Sequence, residues 1–432
     1  MSECRKTGFA TRAVHAGAAP DPATGARTTP IYLTNGFVFD DPDEAADIFA
    51  LRKTGFSYSR GSNPTTAALE RRVADLEGGT MAVAIGSGQA ALLVILLTLM
   101  ESGDEYVAAS RLFGGSLGLM RRLEQRHGLK ARFVDPTDVG SIAAAVTEKT
   151  KAIVVESIVN PCGSVVDLEA ISAIAKRHKV PLVVDNTLAS PYLIRPFEHG
   201  ADIVFHSTSK FLGGHGQVIG GIIVDGGSFD WTGDARYPLV SAPWGDYENI
   251  VLAQAFPKSA FAVAARLYGL RDLGPGISPA NAFLTLTGIE TLPLRMARHC
   301  ANARAVAQHL AAHSGVEWVS YPSIEGHPGK VLADRYCPEG AGSVFTVALK
   351  GGDEGATRFI ASLKLFSHIA NIGETRSLAI HPATTTHRNM PPEDRARAGV
   401  AGNVVRLSIG LEDVADLIAD IDQALAAAAE AA

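Results

Sequence analysis

Cysteine is scarce in this sequence, and long apolar runs and runs of like charge are missing; each shortage removes a class of protein. The four cysteines, Cys4, Cys162, Cys300 and Cys337, include no Cys-x-x-Cys pair, so neither a disulfide framework nor a zinc site is signalled. No stretch reaches the ~18 uninterrupted apolar residues of a transmembrane helix. The opening MSECRKTGFATRAVHAG lacks the apolar centre of a secretion signal, so a cytoplasmic location is expected. A formal net charge of -6 without charge blocks argues against nucleic acid or an anionic membrane as partner and leaves a small molecule. There is no internal repeat.

What is present belongs to an ordinary globular protein: 432 residues, 47% apolar and 19% charged, enough for two domains. Residues 1–60, with AGAAPDPATGARTTP, are rich in turn formers and read as an extended arm, a segment that buries little alone and packs on a neighbouring subunit. The first strong helical pattern is NPTTAALERRVADLE, from Asn63 to Glu77, with an asparagine cap and a proline in the first turn. From Met81 short apolar runs alternate with helical stretches through GGIIVD (220–225), the rhythm of a mainly parallel sheet covered by helices on both faces. Residues 226–278 are less regular and suggest a long loop. After Asn281 helices and short strands predict a smaller α+β domain. The expected division is therefore an arm over 1–60, a large domain over 61–280 and a C-terminal domain over 281–432.

In sheets of this kind ligands sit beyond the carboxyl ends of the strands, and three such places stand out. In DIVFHSTSKFLGGHG (202–216) a strand runs into Ser207, Ser209 and Lys210; that lysine reads as a surface residue, a phosphate ligand or an amine that forms a Schiff base. In IGSGQAA (85–91) a glycine turn opens a helix whose N–H groups suit a phosphate, or is a turn without a ligand. It also fits G-x-G-x-x-A, but no acid ends the next strand, which weakens a dinucleotide site. Asp185 ends VVD as a cap or as a partner for a ligand cation. Taken together, a lysine, an acid for a pyridinium nitrogen and a phosphate loop are the parts that pyridoxal phosphate requires.

The set YSRGSNPT (58–65), GSGQAA (86–91), FGGS (113–116), ESIVNPCG (156–163), VVDNTLASPY (183–192), HSTSKFLGGHG (206–216), SLAIHPATTTH (377–387) and VRLSIGLED (405–413) resembles the cysteine and methionine metabolism family of pyridoxal phosphate enzymes, and within it the O-acetylhomoserine sulfhydrylases. The resemblance implies the aspartate-aminotransferase type of α/β fold (PLP-dependent transferase fold type I) and a homotetramer of two intimate dimers with shared active sites. It implies that Lys210 is the Schiff-base lysine and Asp185 the partner of the ring nitrogen. Gly88 and Gln89, with Ser207 and Ser209, would hold the phosphate, joined by Tyr58 and Arg60 of a neighbouring subunit. Asn160 would meet the ring hydroxyl, Thr187 would lie near the ring, and Arg406 with Ser377 would bind the substrate. Phe113 stands at a ring-stacking position that is often tyrosine in the family, so acid-base work falls to Lys210 or Tyr58. Gly115 stands where γ-lyases carry a cysteine, which favours replacement over elimination.

The implied reaction is γ-replacement on O-acetyl-L-homoserine by sulfide or methanethiol, giving homocysteine or methionine. O-succinylhomoserine sulfhydrylation, cystathionine γ-synthesis and γ-elimination are the alternatives on the same scaffold. Further away lie a non-catalytic protein that retains the fold and a nicotinamide dehydrogenase. His206 and His215 match no zinc spacing, and Cys162 reads as a packed thiol.

Overall fold

The computed structural model describes residues 7–388, 395 and 399–429, which leaves Cys4 and the last three residues outside it. Among the described residues of the first sixty there are two helices, α1 (Phe9–His15) and α2 (Pro42–Phe49), where the turn-rich composition suggested none. α1 exists because it has somewhere to pack. Its Ala13 is buried against α3 (Pro64–Glu77), and Arg72 of α3 donates to the carbonyls of Ala16 (2.6 Å) and Ala13 (3.0 Å), satisfying the end of α1. α2 starts on Asp41, whose side chain accepts the Glu44 N–H at 2.7 Å, with Pro42 in its first turn. The rest of this segment is irregular and carries apolar side chains outward, Val38 at 96% and Leu33 at 72% exposure. α3 begins and ends as its sequence predicts, on an Asn63 cap and a left-handed Gly78.

The alternating pattern from Met81 builds a seven-stranded sheet from β1 (Met81–Ile85), β2 (Glu105–Ala109), β3 (Lys130–Val134), β4 (Thr150–Glu156), β5 (Leu182–Asp185), β6 (Ile203–Ser207) and β7 (Gly221–Asp225). Their order is β1-β7-β6-β5-β4-β2-β3. The five strands from β6 to β3 are parallel, whereas β7 is antiparallel to both of its neighbours. Parallel pairing needs a crossover, and helices α4 (Gly88–Leu99), α5 (Gly114–His127), α6 (Val139–Ala145) and α7 (Leu168–His178) lie between successive strands. Between β6 and β7 there is only the loop 208–220, so the chain turns back on itself; that loop carries Lys210. α4 is apolar nearly all round and is buried, as such a helix must be.

The expected long loop after β7 is instead a string of short helical turns, a two-stranded hairpin of β8 (Pro243–Trp244) and β9 (Ile250–Val251), and a wide π-type helix over Ala265–Leu273. Trp231 anchors this region by packing on Phe229, Tyr237 and Phe261, contacts that single-sequence periodicity does not register. Beyond it a second sheet runs β10-β11-β14-β13-β12, made of β10 (Val316–Ser320), β11 (Val344–Leu349), β12 (Ser367–His368), β13 (Leu378–Ile380) and β14 (Val404–Ser408). A helix over Leu292–Ala312 joins the two sheets. Its buried Arg295 donates to the carbonyls of Phe211 (2.8 Å) and Gly288 (2.7 Å), and His299 bonds the Ile409 carbonyl at 2.7 Å just after β14. Among the described residues no helix is long and apolar enough to cross a membrane.

Candidate active site

Three adjacent parallel strands end on functional side chains. In register, Glu156 at the end of β4 faces Asp185 at the end of β5, and Asp185 faces Phe205, two residues before the end of β6. Above them lies a cavity of about 430 Å³ lined by all three strand ends, by the start of α4, by Phe113 and Asn160, and on the far side by Asn371 and Arg406 of the second half. Gly88, Gln89, Phe113, Asn160, Asp185, Thr187, Ser207, Ser209, Lys210 and Arg406, ten of the expected site residues, line this one cavity.

At one end the start of α4 is pressed against β6. A Cβ on Gly88 would sit 2.7 Å from the Ser207 Cβ, so only glycine lets the helix N-terminus come so close. Ser87 caps α4 by accepting the Ala90 N–H at 3.1 Å. The first N–H groups of a helix have no intrahelical acceptor and carry the positive end of its dipole; here they are those of Gly88 and Gln89, with Ser207 against Gly88 and with Ser209 on the same cavity, its hydroxyl bonded to the Gly220 backbone. Thr187 braces this end by accepting the Ser207 N–H (2.9 Å) while giving its own N–H to Asp185 (3.0 Å).

Desolvation raises the Asp185 carboxyl above its ordinary range, opposed by the bonds from Thr187 and by His206. His206 is fully buried against Glu77 at 2.5 Å, so it serves the core beneath the strand ends. Such a carboxyl is stabilised by a cation brought to it. Burial pulls Lys210 below its usual value, Arg406 adds to the fall, and Glu374 opposes it. The Lys210 amine donates to Asn371 Oδ1, whose amide in turn donates to Glu374 Oε1 at 2.5 Å. Arg406, at the centre of the second sheet and 4% exposed, donates to Asn160 Oδ1 (3.3 Å) and to the Asn371 carbonyl (3.0 Å). Burial pushes its guanidinium down to about 10, as expected for a charge with no carboxylate partner among the described residues.

Phe113 stands immediately before α5 and turns its ring to the cavity, over Gly115. A side chain at 115 would collide with that ring. Gly115→Cys is therefore expected to displace Phe113 and to weaken retention of a planar ligand, read as a several-fold higher Kd in fluorescence titration; unchanged affinity would show that the ring does not contact the ligand.

Three expected residues lie elsewhere. Tyr58 and Arg60 border a separate open depression with Leu33, Asn35 and Pro279, and Arg60 donates to the Arg271 carbonyl; a single chain does not bring them to Lys210. Ser377 is fully buried outside the cavity. Its hydroxyl donates to Glu412 (2.9 Å) and accepts the Gly410 N–H (2.8 Å), so that side chain is committed to holding the turn after β14. Sequence reasoning missed Glu156, Asn371 and Arg295. Of these only Glu156 carried a readable signal, an acid closing the buried run KAIVVE (151–156) beside the strand of Asp185.

The donor set fits pyridoxal phosphate. A desolvated lysine suits the aldehyde carbon, a carboxyl raised by burial suits a ring nitrogen that carries a proton, and a helix N-terminus with two serines suits a dianion.

Comparisons with known proteins agree. The family described as Cys/Met metabolism PLP-dependent enzyme matches residues 10–426. The chain is 46% identical to the O-acetyl-L-homoserine sulfhydrylase of Leptospira meyeri, covering 96% of each chain. It is 47% identical to O-acetyl-L-homoserine sulfhydrylase 1 of Thermus thermophilus, covering 97% of this chain and 100% of that one, and 44% identical to the homocysteine synthase of Schizosaccharomyces pombe, covering 96% and 98%. A crystal structure from Campylobacter jejuni, assigned as an O-acetylhomoserine (thiol)-lyase and holding N'-pyridoxyl-lysine-5'-monophosphate, superposes with a TM-score of 0.94 at 35% identity over 97% of this chain and 100% of that one.

Proposed function

This chain belongs to the Cys/Met metabolism family of PLP-dependent enzymes, and from that premise we propose that it catalyses γ-replacement on O-acetyl-L-homoserine, with sulfide or methanethiol as acceptor, to give L-homocysteine or L-methionine and acetate. The observation that carries the reading is a desolvated lysine and a buried guanidinium, with no carboxylate paired to the latter among the described residues, brought onto one cavity from opposite halves of the chain.

Lys210 anchors the cofactor covalently, and Asp185 holds a proton on its ring nitrogen. Ser207, Ser209, Gly88 and Gln89 hold its phosphate, Asn160 meets its ring hydroxyl, and Phe113 and Thr187 flank the ring. Bound pyridoxal phosphate supplies an electron sink for charge that develops on the substrate carbon. Arg406 grips the α-carboxylate with its planar fork while Asn160 steadies the guanidinium. Once free, the Lys210 amine would take the α-proton and, after handing it on and becoming neutral again, would take one from the β-carbon, because Phe113 has no group that can. Acetate leaves from the γ-carbon, sulfide adds there, and Lys210 returns the protons. Ser377 acts by holding Gly410 and Glu412.

The lining residues include two cations, Lys210 and Arg406, and both have other tasks, which leaves the phosphate without a guanidinium. We assign that role to Arg60, with Tyr58, from a second copy of the chain in a homotetramer of two intimate dimers. The arm over 1–60 would then contact the neighbour, with a cofactor-binding domain over 61–280 and a C-terminal domain over 281–432, in a cytoplasmic protein. Mixing Arg60→Ala chains with Lys210→Ala chains is expected to restore partial activity, up to about a quarter of wild type if dimers form at random; no recovery in exchanged dimers would count against shared sites.

The deciding experiment adds O-acetylhomoserine to the purified protein with and without sulfide. A change in the visible spectrum, with homocysteine formed only when sulfide is present, is expected. Release of 2-oxobutyrate in its place would make the protein a γ-lyase.

A further inference from the structure

We propose that Glu156 is a positioning residue whose single carboxylate fixes two separate segments of the cavity wall, the turn that carries Phe113 and the loop that carries Asn160. It is the last residue of β4, 3% exposed, and held in register with Asp185 in the middle of the sheet. Its Oε1 accepts the Phe113 N–H at 2.7 Å and its Oε2 accepts the Asn160 N–H at 2.8 Å. The first bond fixes the turn into α5 that presents the Phe113 ring. The second fixes the loop after β4, from which the Asn160 side chain reaches Arg406 at 3.3 Å.

The geometry calls for a carboxylate of this length. Glutamine has one acceptor oxygen for two N–H donors and would turn its own NH₂ toward one of them; alanine leaves both buried donors unpaired. Burial and neighbouring Asp185 push the Glu156 carboxyl well above its usual range, against the pull of those two N–H bonds. A buried acid kept at this cost is explained by what it holds.

The inference rests on the reading of the cavity as the site of cofactor and amino acid, so its test separates the two. Wild type, Glu156→Gln and Glu156→Ala are compared by melting temperature, by pyridoxal phosphate titration of the apoprotein, by visible circular dichroism of the bound cofactor, and by kcat and KM for O-acetylhomoserine. Wild-type turnover tests the substrate; cofactor affinity and dichroism test Glu156 whatever the substrate. Glu156→Gln should raise KM and cofactor Kd about tenfold and reduce the dichroism, with a smaller fall in kcat, and Glu156→Ala should do more of each. Glu156→Gln values all within about twofold of wild type would overturn the proposal, as would a fall in kcat alone with KM and dichroism unchanged, which would mean direct chemistry. If Glu156→Ala does not fold, Glu156→Gln, of the same size, decides.

Discussion

Lys210→Ala is expected to lower turnover of O-acetylhomoserine by about a thousandfold or more and to remove the visible band of lysine-bound cofactor, while the protein stays folded and still binds pyridoxal phosphate more weakly. Two tasks disappear with this side chain, the covalent anchor and the proton carrier, and among the described residues no tyrosine of the same chain lines the cavity to take over the second. Phe113 has no exchangeable proton, and Tyr58 of the same chain lies at a separate depression. The environment of the amine also fixes the direction of the pH dependence. Burial and Arg406 lower its pKa from the usual 10.5, so the neutral amine that accepts protons persists to lower pH than in an exposed lysine. Activity should thus rise with pH through that lowered pKa and be lost below it. Retained sulfhydrylation by the alanine variant would remove Lys210 from the mechanism.

The second large effect is expected from Arg406→Ala, a fall in kcat/KM for O-acetylhomoserine of ~10²–10³, carried mainly by KM, with cofactor content unchanged. Among the described residues no carboxylate pairs with Arg406; its bonds go to Asn160 and to the Asn371 carbonyl. A buried guanidinium held by neutral oxygens costs stability until an anion arrives, and the α-carboxylate supplies one. Arg406→Lys should recover only part of the loss, since an ammonium cannot form two parallel bonds. A KM close to wild type in the alanine variant would place the carboxylate elsewhere. Removing a buried charge can also stabilise the empty protein, so a higher melting temperature alongside the kinetic loss agrees with this role.

Much of the fold was readable because buried parallel strands are short apolar runs and their crossovers are helices of ordinary length. The β5 strand LVVD and the apolar α4 stood out for that reason. Lys210, Asp185 and Gly88 were readable for a related reason, since each sits where such a run stops. The two arm helices were obscured by glycine and proline around them, although the Asp41 cap with Pro42 was a start signal in plain view. Arg295 and Asn371 could not be found this way. One looks like any surface arginine of a helix and the other lies in a loop, and their importance comes from contacts 84 and 161 residues away in sequence. Ser377 is a different case: the resemblance places it at the substrate, and in the structure its hydroxyl bonds Glu412 and Gly410.

The loop between β6 and β7 is short, has strands on both sides, and is gripped from the second half of the molecule by Arg295 at Phe211 and by the Thr375 N–H at the Gly214 carbonyl (3.0 Å). Separation of the halves therefore cannot leave the Lys210 loop undisturbed. Cooperativity follows: backbone amides around Phe211–Gly214 should exchange with solvent only in openings that also release the Leu292–Ala312 helix, and a bound cofactor, by closing the same gap, should slow exchange in both places together.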